Sequence, residues 1–193
     1  MRRVIGSLLL AASTIACLID TANAGEVQTK MILTGDILLS REVKREITLK
    51  HGQNPWGNIK PFFKGADWVM GNLEGSVGSV ENCIERDSKL CFAIQTQSLE
   101  LLKEAGFTAL SVENNHSSDL GSTGIEDTRT SINKIGMSAN DFEHSPGFVK
   151  LNNHVIAFIS LSNLVGKSGA KVEIPSSALQ QKIRLAKSLA EWV

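Results

Sequence analysis

Past its first thirty residues the chain alternates short apolar runs with amphipathic stretches. "KMILTGD" is apolar up to Thr34 and then meets Gly35-Asp36, which predicts a buried strand entering a turn. "REVKREITLKHG" predicts a short helix stopped by Gly52, and "NPWGNIKPFFKGAD" is a turn-rich connection. "DWVMGNLEG" predicts a second short strand that ends at Gly71. In "TQSLELLKEAGF" Thr96 is the expected N-cap, Leu99 and Leu102 share a face, and Gly106 stops the helix. "TALSVENN" is a third strand. "STGIEDTRTSINKIG" is a helix with Ile125, Ile132 and Ile135 inward and Gly136 as its stop. "FVKLNNHVIAFISLS" predicts a hairpin turning at Asn152-Asn153, and "GKSGAKVEIPSS" a loop. "SSALQQKIRLAKSLAEWV" predicts a helix capped near Ser176, with Leu179, Ile183, Ala186 and Leu189 inward. Strands alternating with helices predict an α/β fold with a mixed, mostly parallel sheet and flanking helices.

The amino terminus has a different pattern. Two arginines precede an apolar run from Val4 to Ile19, which ends in Ala22-Asn23-Ala24 before Gly25. A basic start, an apolar stretch and an Ala-x-Ala site predict a secretory signal peptide over residues 1–24, cleaved before Gly25. The protein is then expected outside the cytoplasm, periplasmic or extracellular, as one domain over residues 25–193. The mature part keeps 18 basic against 19 acidic residues. Near neutrality gives no support for a nucleic-acid partner. No polybasic run or amphipathic surface helix supports membrane contact after cleavage. Cys83 and Cys91 remain, and in an exported protein a nearby pair is expected to form a disulfide.

In parallel sheets, ligands bind beyond the carboxyl ends of the strands. The first strand ends at Asp36, the second in "GNLE" with Glu74, and the third in "ENNH" with Asn115 and His116. These turns would gather two carboxylates, an amide oxygen and an imidazole. Such a donor set suits a divalent metal of the Mn, Zn or Fe type. Taken singly, each cluster also reads as an ordinary polar turn.

"GDILLSR", "GNLEGSV", "LLKEAGFTALSVENNHSSDLGSTGIEDT" and "GFVKLNNHVIAFISLS" together resemble the CapA-type poly-γ-glutamate capsule biosynthesis family, from about Lys30 to the end of the chain. These domains are similar to calcineurin-like metallophosphoesterases. The resemblance implies an αββα sandwich, of which this chain holds the amino-terminal part. It implies metal ligation by Asp36, Glu74 and Asn115, with His116 as the proton donor to a leaving group. It places Arg41, Asn72, Asn114 and Asp119 as substrate contacts or supports for the ligands, Arg41 being suited to grip an anion. The sequence departs from the phosphoesterase pattern at Leu38 and Ser117, where a histidine and an acid are usual. Family members also continue into a strand carrying a further histidine, so the domain is expected to be incomplete at its carboxyl end and its metal site weak. The implied function is biosynthesis or export of poly-γ-glutamate or a related envelope polymer, with metal-dependent hydrolysis as one activity. The implied partners are an anionic envelope polymer, a peptide or phosphoester substrate, or a capsule-assembly partner. The alternatives are a polymer- or partner-binding module without turnover, or a truncated remnant.

Overall fold

A computed structural model describes residues 28–49, 55–84, 90–165, 170–171 and 175–193. The expected signal segment, its expected cleavage site and the expected Gly52 helix stop lie outside the described residues.

Strand β1 (Met31–Ile37) leads through helix α1 (Arg41–Leu49) and the short helix α2 (Lys60–Phe63) to β2 (Trp68–Leu73). A two-strand parallel pair follows, β3 (Ser76–Val77) with β4 (Ala93–Ile94). Helix α3 (Thr96–Ala105), β5 (Ala109–Ser111), helix α4 (Gly121–Lys134) and β6 (Ser138–Asn140) complete the main unit. The hairpin β7 (Gly147–Leu151) and β8 (His154–Phe158), the pair β9 (Leu164–Val165) and β10 (Ala170–Lys171), and helix α5 (Ser176–Leu189) come last.

The main sheet runs β1-β2-β5-β6 and every neighbouring pair is parallel, as the alternation predicted. Its core is aliphatic: Val69, Leu73, Ile94, Leu99, Leu102, Leu110 and Ile132 are all fully buried. At about 25 cal/mol per Å² of apolar surface, this burial is the main term holding α3 and α4 on the sheet. Gly106 ends α3 in the left-handed region, donating to the Leu102 and Lys103 carbonyls. Trp68 stacks on Phe158 at 5.7 Å, which ties β8 to β2. Asn152 takes a positive φ at the two-residue β7–β8 turn, where the sequence placed it.

Several elements differ in detail from the sequence reading. β2 does not stop at Gly71 but continues to Leu73. A Cβ on Gly71 would lie 2.4 Å from Thr34 Oγ1, so this glycine marks a close approach of β1 inside the sheet. Asp36 accordingly lies within β1, in register with Asn72. The N-cap of α3 is Gln95, and Thr96 is the first helical residue. Ile125 faces outward, because the buried stripe of α4 is Gly124, Thr128 and Ile132. Val77 N–H donates to Thr128 Oγ1 at 2.7 Å, which fixes that rotation. On α5 only Ala186 is buried and Leu189 is exposed; the helix packs on β8, and Lys182 ties it to the Glu143 and Ser145 carbonyls.

Cys83 and Cys91 are joined as a disulfide across a separation of 8 residues. In the chain-entropy account a loop of this size constrains the unfolded chain by about 2.5 kcal/mol. A reducing agent should therefore lower the melting temperature, and Cys83→Ser/Cys91→Ser should reproduce the shift. Equal melting with and without reductant would contradict that contribution.

Candidate functional site

Two features of the chain bring the carboxyl ends of β1, β2 and β5 together. The Glu74 amide donates to the Ile37 carbonyl at 3.1 Å, so β2 leaves the sheet alongside β1. Ser76 Oγ then lies 3.0 and 2.7 Å from the carbonyl oxygens of His116 and Ser117, pinning the turn after β5 onto β3.

Across these ends runs a continuous hydrogen-bonded path. Asn72 Nδ2 donates to Asp36 Oδ1 at 2.8 Å. Asn114 Nδ2 donates to Asn72 Oδ1 at 3.0 Å and to the Leu73 carbonyl at 2.9 Å. The His116 amide donates to Asn114 Oδ1 at 3.0 Å. His116 Nδ1 lies 3.0 Å from Asp119 Oδ2, which also accepts from the Phe92 amide at 2.6 Å. An ionised carboxylate can only accept, so Nδ1 carries the proton and Nε2 is the nitrogen left for chemistry. Asp119 is itself buried.

The imidazole is held on its face as well. Phe92 stacks on His116 with ring centroids 3.7 Å apart, and the Arg41 guanidinium stands 5.4 Å from the Phe92 ring centroid. Arg41, Phe92 and His116 thus form a layered group with the exposed cation outermost. Arg41 adopts φ +54 at the start of α1. A non-glycine residue held there costs on the order of 1 kcal/mol, and strain of this kind collects at functional positions.

Of the residues expected at this site, Asp36, Asn72, Asn114, His116 and Asp119 are connected by hydrogen bonds, with Arg41 beside them. Glu74 and Asn115 are half-buried in the adjoining turns, and their side chains make no hydrogen bond among the described residues. Phe92 and Ser76 also belong to the site. Sequence reading gave no sign of Phe92, since a buried aromatic after a cysteine reads as core.

A divalent metal was expected at Asp36, Glu74 and Asn115. Among the described residues no group of three or more His, Cys, Asp and Glu side chains comes together so as to hold a metal ion. Asp36 Oδ1 is occupied by the Asn72 amide, and His116 Nδ1 by Asp119. Asp36 Oδ2 and the side-chain oxygens of Glu74 and Asn115 are the donors that remain for a cation, and no chemical step is assigned to one.

Next to Asn114 in the chain, Glu113 accepts from the Phe142 amide at 2.8 Å. Burial pushes its carboxyl above the ordinary value, the Phe142 hydrogen bond pulls it back in part, and the Asp141 charge pushes it up again. The folded protein therefore keeps this proton to higher pH than the unfolded chain. Stability from this group is full below the unfolded value and is lost as pH rises through the folded one. Glu113→Gln retains an oxygen for Phe142 and abolishes the titration. Its melting temperature should match the native protein near about pH 4 and exceed it near about pH 7.5. A constant difference across that window would contradict the raised carboxyl.

The described site lies within a region recognised by comparison. The family model "Bacterial capsule synthesis protein PGA_cap" matches residues 30–191. The "PGA biosynthesis protein CapA" of Bacillus subtilis (strain 168) is 29% identical over 143 residues, 70% of this chain and 38% of that protein. The "Capsule biosynthesis protein CapA" of Bacillus anthracis is 35% identical over 101 residues, 51% of this chain and 24% of that protein. The aligned region thus spans well under half the length of either relative.

Proposed function

Since the chain belongs to the bacterial capsule synthesis protein family, we propose that it is an exported component of capsule-polymer biosynthesis that grips an anionic envelope polymer at the carboxyl edge of its parallel sheet. The observation that carries this reading is the layered Arg41–Phe92–His116 group fixed by Asp119. Arg41 offers a planar fork of donors suited to carboxylates repeated along a polymer. His116, with Nε2 bare, can take a proton at the bound chain and afterwards return it. Asn72 and Asn114 hold the two ends of the site in register and keep Asp36 from turning into the anion's path.

Calorimetric titration with a γ-linked glutamate oligomer tests this. Native protein should bind it, and Arg41→Ala should weaken binding by about tenfold, the worth of one charge-assisted contact. Unchanged affinity in Arg41→Ala would remove the anion grip.

A second reading, metal-dependent hydrolysis, is supported by the placement of the Asp36 and Glu74 carboxylates at adjacent strand ends. It requires stoichiometric uptake of Mn²⁺ or Zn²⁺ by the purified protein, lost in Asp36→Ala. Oligomer binding that persists in excess chelator, without metal uptake, favours the binding module.

A further inference from the structure

Beside the hydrogen-bonded path lies a cleft of about 450 Å³ that the reading above leaves without a role. Its walls include Thr34, Asn72, Ser111 and Glu113 from the strand ends, and Phe158 and Ser160 from the end of β8 and the segment after it. Asn72 belongs to both places, since it lines the cleft and bonds Asp36 and Asn114.

Glu113 is half-buried at this wall. One carboxylate oxygen, Oε2, accepts from the Phe142 amide, and the other has no hydrogen bond among the described residues. The charged groups around it are mostly acidic. Asp141 acts on it from the loop after β6 and is itself bonded to His144 Nδ1 at 2.8 Å. Asp36 lies beyond Asn72 on β1. An anion entering here meets repulsion. A cation meets a lining that includes Glu113, whose second oxygen has no hydrogen bond among the described residues, the hydroxyl-bearing residues Thr34, Ser111 and Ser160, and the aromatic Phe158. A carboxylate, an aromatic surface and hydroxyls together match the three N–H donors and the charge of an ammonium group.

We infer that this cleft is a subsite for a protonated primary amine, such as the free amino end of a peptide or polymer chain, with Glu113 as its counter-charge. The subsite rests on the proposed function only for the identity of the chain that carries the amine. On that reading the polymer's carboxylates face Arg41 and its amino end enters the cleft, so the site distinguishes a chain terminus from a chain interior.

Two probes test this by calorimetry against native protein and Glu113→Gln, whose retained oxygen keeps the Phe142 bond and whose melting curve confirms folding. The first probe is n-butylammonium, which carries no carboxylate. It should bind native protein and bind Glu113→Gln about tenfold more weakly. The second is a γ-linked glutamate oligomer with its amino end free or N-acetylated. The free form should bind native protein about tenfold more tightly, and Glu113→Gln should erase that difference while leaving the acetylated form unaffected. Equal binding of both oligomer forms to native protein, with no Glu113-dependent binding of n-butylammonium, overturns the inference. Butylammonium binding that depends on Glu113, without binding of either oligomer, upholds the amine subsite and removes the polymer reading.

Discussion

Asp119→Ala is expected to destabilise the fold by about 2–3 kcal/mol and to abolish any proton transfer by His116. Its carboxylate is buried and takes two donors, the Phe92 amide at 2.6 Å and His116 Nδ1 at 3.0 Å. Removing it leaves the buried Phe92 amide and the half-buried His116 Nδ1 without that partner, and the desolvation cost, larger for the Phe92 amide, then falls on the folded state. Asp119→Asn is the milder comparison. Its amide oxygen, placed where Oδ2 stands, can accept from both the Phe92 amide and Nδ1–H, so the stability loss should be smaller and the tautomer that leaves Nε2 bare should persist. Denaturant unfolding of both variants checks the first effect, and the ring ¹⁵N shifts of His116 check the second. Native-like ring shifts in Asp119→Ala would show that Asp119 does not set the tautomer.

Gly75→Ala should cost about 3 kcal/mol or more. Gly75 has φ +141, which L side chains rarely adopt, and a Cβ there would stand 2.3 Å from the Phe92 carbonyl oxygen. That oxygen accepts from the Ser76 amide at 3.0 Å, so the obstacle is backbone that is already bonded. The segment carrying Phe92 would have to move away from β3, taking with it the ring that stacks on His116. Thermal melting gives the stability loss. Loss of Phe92 ring-current shifts on the His116 protons gives the displacement. Gly35→Ala is the control, because nothing lies within 4 Å of a Cβ at that position. If both substitutions shift melting equally, the close approach at Gly75 is not what the glycine is for.

The parts of the fold that were legible in the sequence are those where one local signal decides the structure. Apolar runs ending in polar turns gave the parallel strands, Gly106 stopped α3, and Asn152-Asn153 turned the hairpin. The misreadings occur where tertiary contact overrides the local signal. Gly71 reads as a strand end but serves a close packing of β1 on β2. Ile125 reads as inward by periodicity, yet the Thr128–Val77 hydrogen bond turns α4 so that it faces out. At the site, the residue types at the strand ends were visible, but their connections were not. Asn72 and Asn114 read as supports, and the structure makes them the links that join Asp36 to His116. Phe92 comes from a distant segment behind the disulfide, and no spacing in the sequence brings it to the imidazole. Asp36, Glu74 and Asn115 are legible as donor types, but whether their oxygens meet at one point depends on side-chain convergence, which order along the chain does not encode.

The central claim is that the ends of β1, β2 and β5 act as one site through the Asp36–Asn72–Asn114–His116 path. A double-mutant cycle on oligomer affinity tests it most directly, with Asp36→Ala, Asn114→Ala and the combined variant titrated with a γ-linked glutamate oligomer. These two side chains share no hydrogen bond among the described residues and are joined through the Asn72 side chain. A connected site predicts a coupling of about 0.5–3 kcal/mol between them. Additive effects, or affinity that neither substitution changes, would contradict it.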